Sequence, residues 1–270
     1  MTEPAEEVVE TVADRLAERV RAGDVEGIRS LLEELHPSDV ADLVEALEDG
    51  EHRLLVLRSL PVEHASEALS EMEEGNFRAS LLAALTPEIG AELLHEMADD
   101  DAADLIAELD PRDRSRILST LPIDEAGDLQ GLLIYGEETA GGRMTTSFVA
   151  LEGTTTAKLA IEGVRRRGRE VEDFYTIFVV DGNNRLLGTV PLDDLILADP
   201  SVHVSELTEP IVASVSPDVD QEQVGRLLSR YNLASIPVVN SFDQLLGRIT
   251  FDDVLDVIEA EQTEDILRLA

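Results

Sequence analysis

The sequence predicts a multi-domain protein: an all-α superhelical repeat domain, then a tandem pair of similar α/β units, then the start of a connecting helix. The first half of the 270-residue chain carries four proline-led segments, spaced 24, 26 and 24 residues apart. The second half carries two similar strand–turn–strand segments, each followed by an acidic helix start. This length suits two ordinary domains, and a hydrophobic fraction of 43% suffices for two cores.

The proline-led segments begin at Pro37, Pro61, Pro87 and Pro111. Proline suits the first turn of a helix, where its missing N–H would have no partner in any case. Apolar residues then recur three and four positions apart, as in PSDVADLVEAL, and a second apolar stretch precedes the next proline. Each repeat therefore predicts a helix pair, and the near-constant spacing predicts a stacked solenoid over residues 1–132.

The composition changes near Tyr135, where YGEETAGGRMTT is rich in glycine and threonine and predicts a linker. Two similar units follow, TIFVVDGNNRLLGTVPLDDLI from Thr176 and ASIPVVNSFDQLLGRITFDDVL from Ala234. DGNN and NSFD predict hairpin turns, and LLG predicts a break in each second strand.

A helix is predicted ahead of each hairpin, at about residues 156–167 and 221–232. The second half therefore predicts two copies of a β-α-β-β-α unit, over residues 133–204 and 205–261. Residues 262–270 are expected to begin a connecting helix.

The charge is extreme, with 58 acids against 21 bases and a net charge of −37. Lys158 is the single lysine. Such a surface repels nucleic acid and anionic lipid and attracts cations. Adaptation to high salt accounts for most of the acids, so only the placement of particular acids can indicate a metal site.

Several other classes of protein have no support. No apolar run approaches the roughly 20 residues of a membrane span, and no signal peptide is visible, so a cytoplasmic protein is expected. The chain has no cysteine, and its five histidines form no HxxxH or HExxH pair, which disfavours a zinc site. No catalytic motif appears, and an enzyme is not expected. The arginines 165–167 and 169 are expected to form a solvated helix end or to pair with nearby acids between domains.

Two acidic clusters are candidates for cation binding. Asp252, Asp253, Asp256 and Glu259 fall on one arc of a helix near the chain end, opposite an apolar arc. The stretch EMADDDAADLIAEL carries the second cluster, on a helix face expected to be exposed. Acidic surfaces on separate domains repel, and a shared Mg²⁺, which takes oxygen ligands, reverses the sign. Closure of the domains would then report the Mg²⁺ concentration.

The motifs GTVPLDDL and GRITFDDV resemble paired cystathionine-β-synthase-type (CBS) domains. With the helical repeats, the AGGRMTT junction and the ending DDVLDVIEAEQTEDI, the whole chain is similar to the cytosolic part of an MgtE-type magnesium channel or transporter. In that family a membrane domain follows a connecting "plug" helix, inside which this chain stops. The chain is therefore either a shortened cytosolic piece or a separate subunit.

The resemblance implies a Mg²⁺-sensing gating function with several bound ions. It implies a set of oxygen ligands: Glu67, Asp100, Asp104, Gly142 and Ser229 (both through backbone carbonyls), Asp220, Glu222, Asn232, Asp253, Asp256, Glu261, Glu264 and Asp265. Asn232 stands where the family has a carboxylate, so that site should be weaker or differently arranged. The resemblance also implies a homodimer formed through the CBS domains, a pore domain in the same or a companion chain, and a place at the inner face of the plasma membrane.

A nucleotide-binding regulatory module is the alternative function. CBS pairs often bind ATP or another adenine nucleotide through a Ser or Thr and an Asp, which Thr250 and Asp253 supply in the second unit. In the first unit Pro191 replaces the hydroxyl beside Asp194, so one half-site should be impaired.

Overall fold

The computed structural model describes residues 3–73, 76–167, 171 and 176–254. The chain divides after Gln130 into two compact units, a helical unit and an α/β unit. The predicted connecting helix lies outside the described residues. Within the described part of the chain, no helix has the length and apolar character needed to cross a membrane.

The helical unit consists of short helices in pairs. They are α1 (Glu3–Ala22), α2 (Val25–Leu32), α3 (Pro37–Glu45), α4 (Gly50–Ser59), α5 (Val62–Ser70), α6 (Asn76–Ala84), α7 (Pro87–His95), α8 (Asp99–Glu108), α9 (Pro111–Leu118) and α10 (Ile123–Leu132). Prolines begin α3, α7 and α9, and Pro61 is the residue before α5. The predicted helix pairs are confirmed.

The helices of this unit pack in two rows. Each of α3, α5 and α7 contacts the next odd-numbered helix, and each of α2, α4 and α6 contacts the next even-numbered helix. Buried leucines and isoleucines fill the space inside the stack, among them Leu69, Leu82 and Ile106. Contacts between successive repeats are the pattern of a solenoid, as the spacing predicted.

One buried ion pair ties three helices together. Arg78 of α6 is 4% exposed, and its Nε donates to Glu108 Oε1 of α8 at 2.7 Å. Its Nη1 also donates to the carbonyls of Ser70, at the end of α5, and Met72 at 3.4 and 3.5 Å. Removal of the carboxylate would leave an uncompensated buried charge on Arg78, which is strongly destabilising.

The α/β unit contains two similar halves. Its elements are β1 (Ala150–Glu152), α11 (Ala157–Arg167), β2 (Thr176–Val180), β3 (Leu186–Pro191), α12 (Leu192–Leu197), α13 (Val204–Leu207), α14 (Gln221–Tyr231), β4 (Ser235–Val239) and β5 (Leu245–Thr250). A last helical turn covers residues 251–254. Helices α11 and α14 confirm the two helices predicted ahead of the hairpins.

The two halves share topology and register. Strand β1 pairs parallel with β2, and β2 pairs antiparallel with β3. In the second half β4 pairs antiparallel with β5, and a parallel bridge from Val215 to Val238 stands in the place of β1. Both hairpins shift register at a valine pair, Val179/Val180 and Val238/Val239. The internal repeat predicted from the sequence is thus confirmed down to a local irregularity.

The predicted glycine- and threonine-rich linker joins α10 to β1 without a helix or strand of its own, and it packs against the α/β unit. Ala140 and Met144 are buried. Ala140 N donates to Val219 O at 2.7 Å, and Thr145 forms an antiparallel bridge with Arg248 of β5. The glycines of this segment permit close packing rather than flexibility, because a Cβ on Gly141 would lie 2.5 Å from the ring of Tyr135.

The LLG motifs do not break their strands, so that prediction is wrong. Strands β3 and β5 run through Gly188 and Gly247. A Cβ on Gly188 would lie 2.4 Å from the carbonyl oxygen of Glu209, and one on Gly247 would lie 2.6 Å from that of Thr145. Each glycine therefore lets a neighbouring segment pair with the strand edge, a recognised use of glycine in strands.

Replacing Glu108 with alanine should destabilise the helical unit by about 3–5 kcal/mol, because Arg78 stays buried without its carboxylate. Urea unfolding followed by far-UV circular dichroism measures the loss. The control is Asp113→Ala, which removes the partly exposed Asp113–Arg116 pair and should cost at most about 1 kcal/mol. Equal losses in the two variants would contradict the role of the buried pair.

Candidate metal-binding residues

Three predicted ligands lie on neighbouring helices of the helical unit. Glu67 lies on α5, Asp100 and Asp104 lie on α8, and these two helices pack together. Asp100 and Asp104 are one turn apart on the same helix face. Asp100 is 8% exposed and Asp104 is half-buried, so the expectation of an exposed acidic face is wrong for Asp100.

The first turn of α8 carries three consecutive acids, Asp99, Asp100 and Asp101. The residue before the helix, Ala98, offers no side-chain cap. The positive end of the helix dipole favours carboxylates at this position. This accounts for acids at the start of α8 without any metal ion, although it does not account for the burial of Asp100.

A further carboxylate near α8 was missed in the sequence. Desolvation, together with the charges of Asp99 and Asp124, raises the pKa of Asp128 above its usual value. Asp124 and Asp128 are one turn apart on α10, and this i, i+4 spacing is the signal that was available in the sequence.

The junction brings Gly142 beside the start of α14. Thr139 forms an antiparallel bridge with Asp220, and Gln221 N donates to the carbonyl of Glu138 at 3.0 Å. Asp220 is the N-cap of α14, and its Oδ1 accepts from the backbone N–H of Glu222 at 2.9 Å. Predicted ligands far apart in sequence thus meet at one helix terminus.

Two more predicted ligands lie at the other end of α14. Asn232 is the C-cap in the left-handed conformation, with φ 51° and ψ 49°, and its N–H donates to the carbonyl of Ser229 at 3.4 Å. Asparagine and glycine suit this conformation better than most residues. Asn232, which stands where the family has a carboxylate, therefore also has a structural role as the C-cap of α14.

Asp253 belongs to the turn that follows β5. Its Oδ2 accepts hydrogen bonds from Thr250, from the backbone N–H at 3.1 Å and from the hydroxyl. Burial, and next the charge of Asp252, raises the pKa of Asp253, against the lowering effects of Thr250 and Arg248. The carboxylate thus closes half of a capping box.

The equivalent turn in the first half lacks this arrangement. Pro191 is the N-cap of α12 and makes no side-chain cap bond, and Asp194 is exposed. Proline supplies neither the N–H nor the hydroxyl that Thr250 offers to Asp253. The two turns differ in the way that the sequence predicted.

The structure gathers some predicted ligands and leaves others apart. The helix of Glu67 packs against the helix of Asp100 and Asp104, and the turn that contains Gly142 is bridged to Asp220 through Thr139. Asp256, Glu261, Glu264 and Asp265 lie outside the described residues, as does Glu259. Among the residues that the structure describes, no group of three or more acids or histidines is arranged to hold a metal ion by itself.

Comparison with known proteins supplies the identity. Residues 35–138 match the family model of the MgtE intracellular N domain, and residues 140–201 and 204–260 each match that of the CBS domain. The magnesium transporter MgtE of Thermus thermophilus is 43% identical over 262 residues, covering 96% of this chain and 58% of that protein. The magnesium transporter MgtE of Bacillus subtilis is 30% identical over 251 residues, covering 93% and 55%.

The fold matches solved structures over nearly their whole length. The cytosolic domain of the Mg²⁺ channel MgtE in complex with ATP superposes with a TM-score of 0.85 at 38% identity, covering 91% of this chain and 99% of that one. The soluble part of a magnesium transporter gives a TM-score of 0.84 at 32% identity, covering 94% and 99%.

The chain belongs to the MgtE family. The predicted fold class, a helical superhelix followed by a CBS pair, is thereby confirmed. The chain spans somewhat more than half the length of the two MgtE transporters.

The donor chemistry of this MgtE chain fits Mg²⁺. Its predicted ligands are carboxylate, amide and carbonyl oxygens, the hard donors that Mg²⁺ prefers. Mg²⁺ usually keeps several waters and needs only one or two carboxylates. A pair such as Asp220 and Glu222 with the Gly142 carbonyl therefore meets the chemical requirement without a closed cage of acids.

Replacing Asp128 with asparagine should raise the melting temperature at neutral pH. Its raised pKa means that the ionised carboxyl destabilises the folded state at neutral pH, and that protonation relieves this cost as the pH falls. The gain should therefore shrink towards zero below about pH 4, where the unfolded carboxyl is also protonated.

Thermal melts across this pH range make the measurement. Asp110→Ala is the control of opposite sign, because N–H groups of Asp113 and Arg112 lower the pKa of Asp110. Asp110 therefore stabilises the folded state at neutral pH and ceases to do so as the pH falls through its lowered pKa. A gain for Asp128→Asn that stays constant with pH would rule out the electrostatic explanation.

Proposed function

We propose that this chain is the Mg²⁺-sensing gating region of an MgtE-type channel. The observation that carries the proposal is its match to 99% of the solved cytosolic domain of the Mg²⁺ channel MgtE. The proposal includes a pore domain, in the same chain or a companion chain, and a place at the cytoplasmic face of the membrane. With a net charge of −37, the region is not expected to bind nucleic acid.

The proposed mechanism rests on carboxylates of both units. The helical unit contributes Glu67, Asp100 and Asp104, and the CBS pair contributes Asp253 and its neighbours. Without divalent ions these groups repel, because unit charges about 4 Å apart at an effective dielectric near 20 cost roughly 4 kcal/mol. With several Mg²⁺ ions shared between them, attraction replaces repulsion and the closed arrangement gains stability by linkage.

The proposal also includes a homodimer formed through the CBS pair. Two-fold pairing would place the segments after β5 of both protomers on the same side of the dimer. Glu261, Glu264 and Asp265 would then act on the pore through the connecting helix. Mg²⁺-dependent closure of the folded units would thereby be coupled to the pore in the membrane.

Small-angle scattering tests this mechanism. Millimolar Mg²⁺ should reduce the radius of gyration of the full chain, measured against KCl of the same ionic strength. Matched salt is essential because screening alone contracts so acidic a protein. An unchanged radius at matched ionic strength would overturn the gating proposal.

A variant pair on α5 sharpens the same test. Glu67→Gln should weaken the Mg²⁺-dependent contraction, since it removes a proposed ligand. Glu63→Gln is the matched control, because Glu63 is exposed on the same helix one turn away and removes the same charge. Equal responses would show that total charge, and not the proposed ligand, governs the contraction.

Binding of an adenine nucleotide is the second candidate function. It is favoured by the ATP held in the related MgtE cytosolic domain and by the Thr250–Asp253 pair of this chain. Calorimetric titration with ATP and with AMP at constant Mg²⁺ should give saturable heat that Thr250→Val diminishes. Saturable heat in a protein that shows no Mg²⁺-dependent contraction would favour this function over gating by Mg²⁺.

A further inference from the structure

The segment from Thr139 to Arg143 is fastened to the start of α14 by backbone hydrogen bonds. Ala140 N donates to Val219 O at 2.7 Å, and Gly141 N donates to Pro217 O at 2.8 Å. Gly142 N turns back onto the carbonyl of Thr139 at 3.0 Å. A tight turn therefore sets the position of the Gly142 carbonyl, and hydrogen bonds hold this turn to the second CBS half.

The turn has little room to move. A Cβ on Gly142 would lie 2.3 Å from the carbonyl oxygen of Gly136, and Tyr135 packs against Gly141. Such contacts fix the near side of the turn. Its far side, towards α14, depends on the next side chain, Arg143.

Arg143 makes the side-chain link across to α14. Its Nε donates to Gln221 Oε1 at 3.1 Å, and both residues are partly buried. Arg143 directly follows Gly142 in the chain, and Gln221 lies between Asp220 and Glu222. Each partner of this hydrogen bond is thus the chain neighbour of a proposed Mg²⁺ ligand.

Arg143 is positively charged, and it lies beside proposed ligands of a positively charged ion. A cation beside a cation site weakens binding by Coulomb repulsion, so electrostatics alone would disfavour an arginine here. In metal sites, however, residues that orient the ligands contribute strongly to affinity. The two effects have opposite signs, which makes the role of Arg143 measurable.

We propose that Arg143 is a positioning residue that holds Gly142, Asp220 and Glu222 together as one Mg²⁺ subsite through its hydrogen bond to Gln221. This inference rests on the proposed function. It assigns a role to a residue of the AGGRMTT junction that is not itself a ligand.

The test is a Mg²⁺ titration of the full chain labelled with ¹⁵N-glycine, followed by the amide shift of Gly142. Gly142 is the only glycine of the chain that follows another glycine, so adding ¹³C-carbonyl glycine assigns its amide resonance directly. Arg143→Ala should weaken the affinity seen at Gly142 by about tenfold, the usual cost of losing a residue that orients ligands. If repulsion dominates, the same variant binds Mg²⁺ more tightly, and the proposal is overturned.

Companion variants separate positioning from charge and from folding. Arg230→Ala removes an exposed arginine from the same helix and should leave the affinity unchanged or slightly higher. Gln221→Ala and the Arg143→Ala/Gln221→Ala double variant should lose affinity by the same factor as Arg143→Ala alone. Gln221→Glu keeps an acceptor for Arg143 and should retain wild-type affinity or exceed it.

The outcomes distinguish this inference from the proposed function. If the wild-type amide responds to Mg²⁺ but Arg143→Ala matches Arg230→Ala, only the positioning role fails. If losses from Arg143→Ala and Gln221→Ala multiply in the double variant, the two residues act independently and the role again fails. If the wild-type chain shows neither a saturable shift nor contraction, the proposed function fails, and the subsite with it.

Discussion

Arginine side chains that donate to helix-terminal carbonyls join neighbouring helices of the helical unit, both within a repeat and between repeats. The last carbonyls of a helix have no partner within that helix, and a guanidinium with several donors can satisfy them from a neighbouring helix. The contacts run from Arg29 to Ser59, Arg53 to Glu45, Arg58 to Ala84, Arg78 to Ser70, Arg114 to Ala107 and Arg116 to Ala83. In a chain with one lysine and an excess of acids, much of the scarce positive charge is thus used to join short helices.

Aspartate side chains cap the N-terminal ends of several helices. Asp24, Asp49, Asp110 and Asp220 are N-caps whose carboxylates accept backbone N–H groups, which satisfies the unpaired donors there. Carboxylates at N termini and guanidinium groups at C termini both complement the helix dipole. The presence of acids at these four positions is therefore explained without a metal ion. A Mg²⁺ site has to be argued from candidate ligands on elements that pack together, such as the helices of Glu67 and Asp100, or the start of α14 and the Gly142 turn.

Regular elements were predictable because their signals are local. Prolines mark the helix starts, and the repeated hairpin motifs fix the α/β halves. The packing of the junction was not predictable from composition, because it depends on contacts of Gly141 and Gly142 with Tyr135 and Gly136. The burial of Asp100 and the neighbours of Asp128 likewise depend on tertiary packing. The candidate ligands came from family resemblance, and periodicity alone supplied only the two acidic faces.

Asp253 shows how a structural carboxylate can remain suited to a cation. Thr250 gives it two hydrogen bonds, yet burial raises its pKa, so at neutral pH the ionised group costs the folded state more than it would in water. This cost disappears as the pH falls and the group protonates. A nearby cation acts the other way: it favours the ionised form and lowers the pKa. In the proposed gating mechanism, Mg²⁺ bound near Asp253 would offset this cost, and the ion concentration would thereby be linked to conformation.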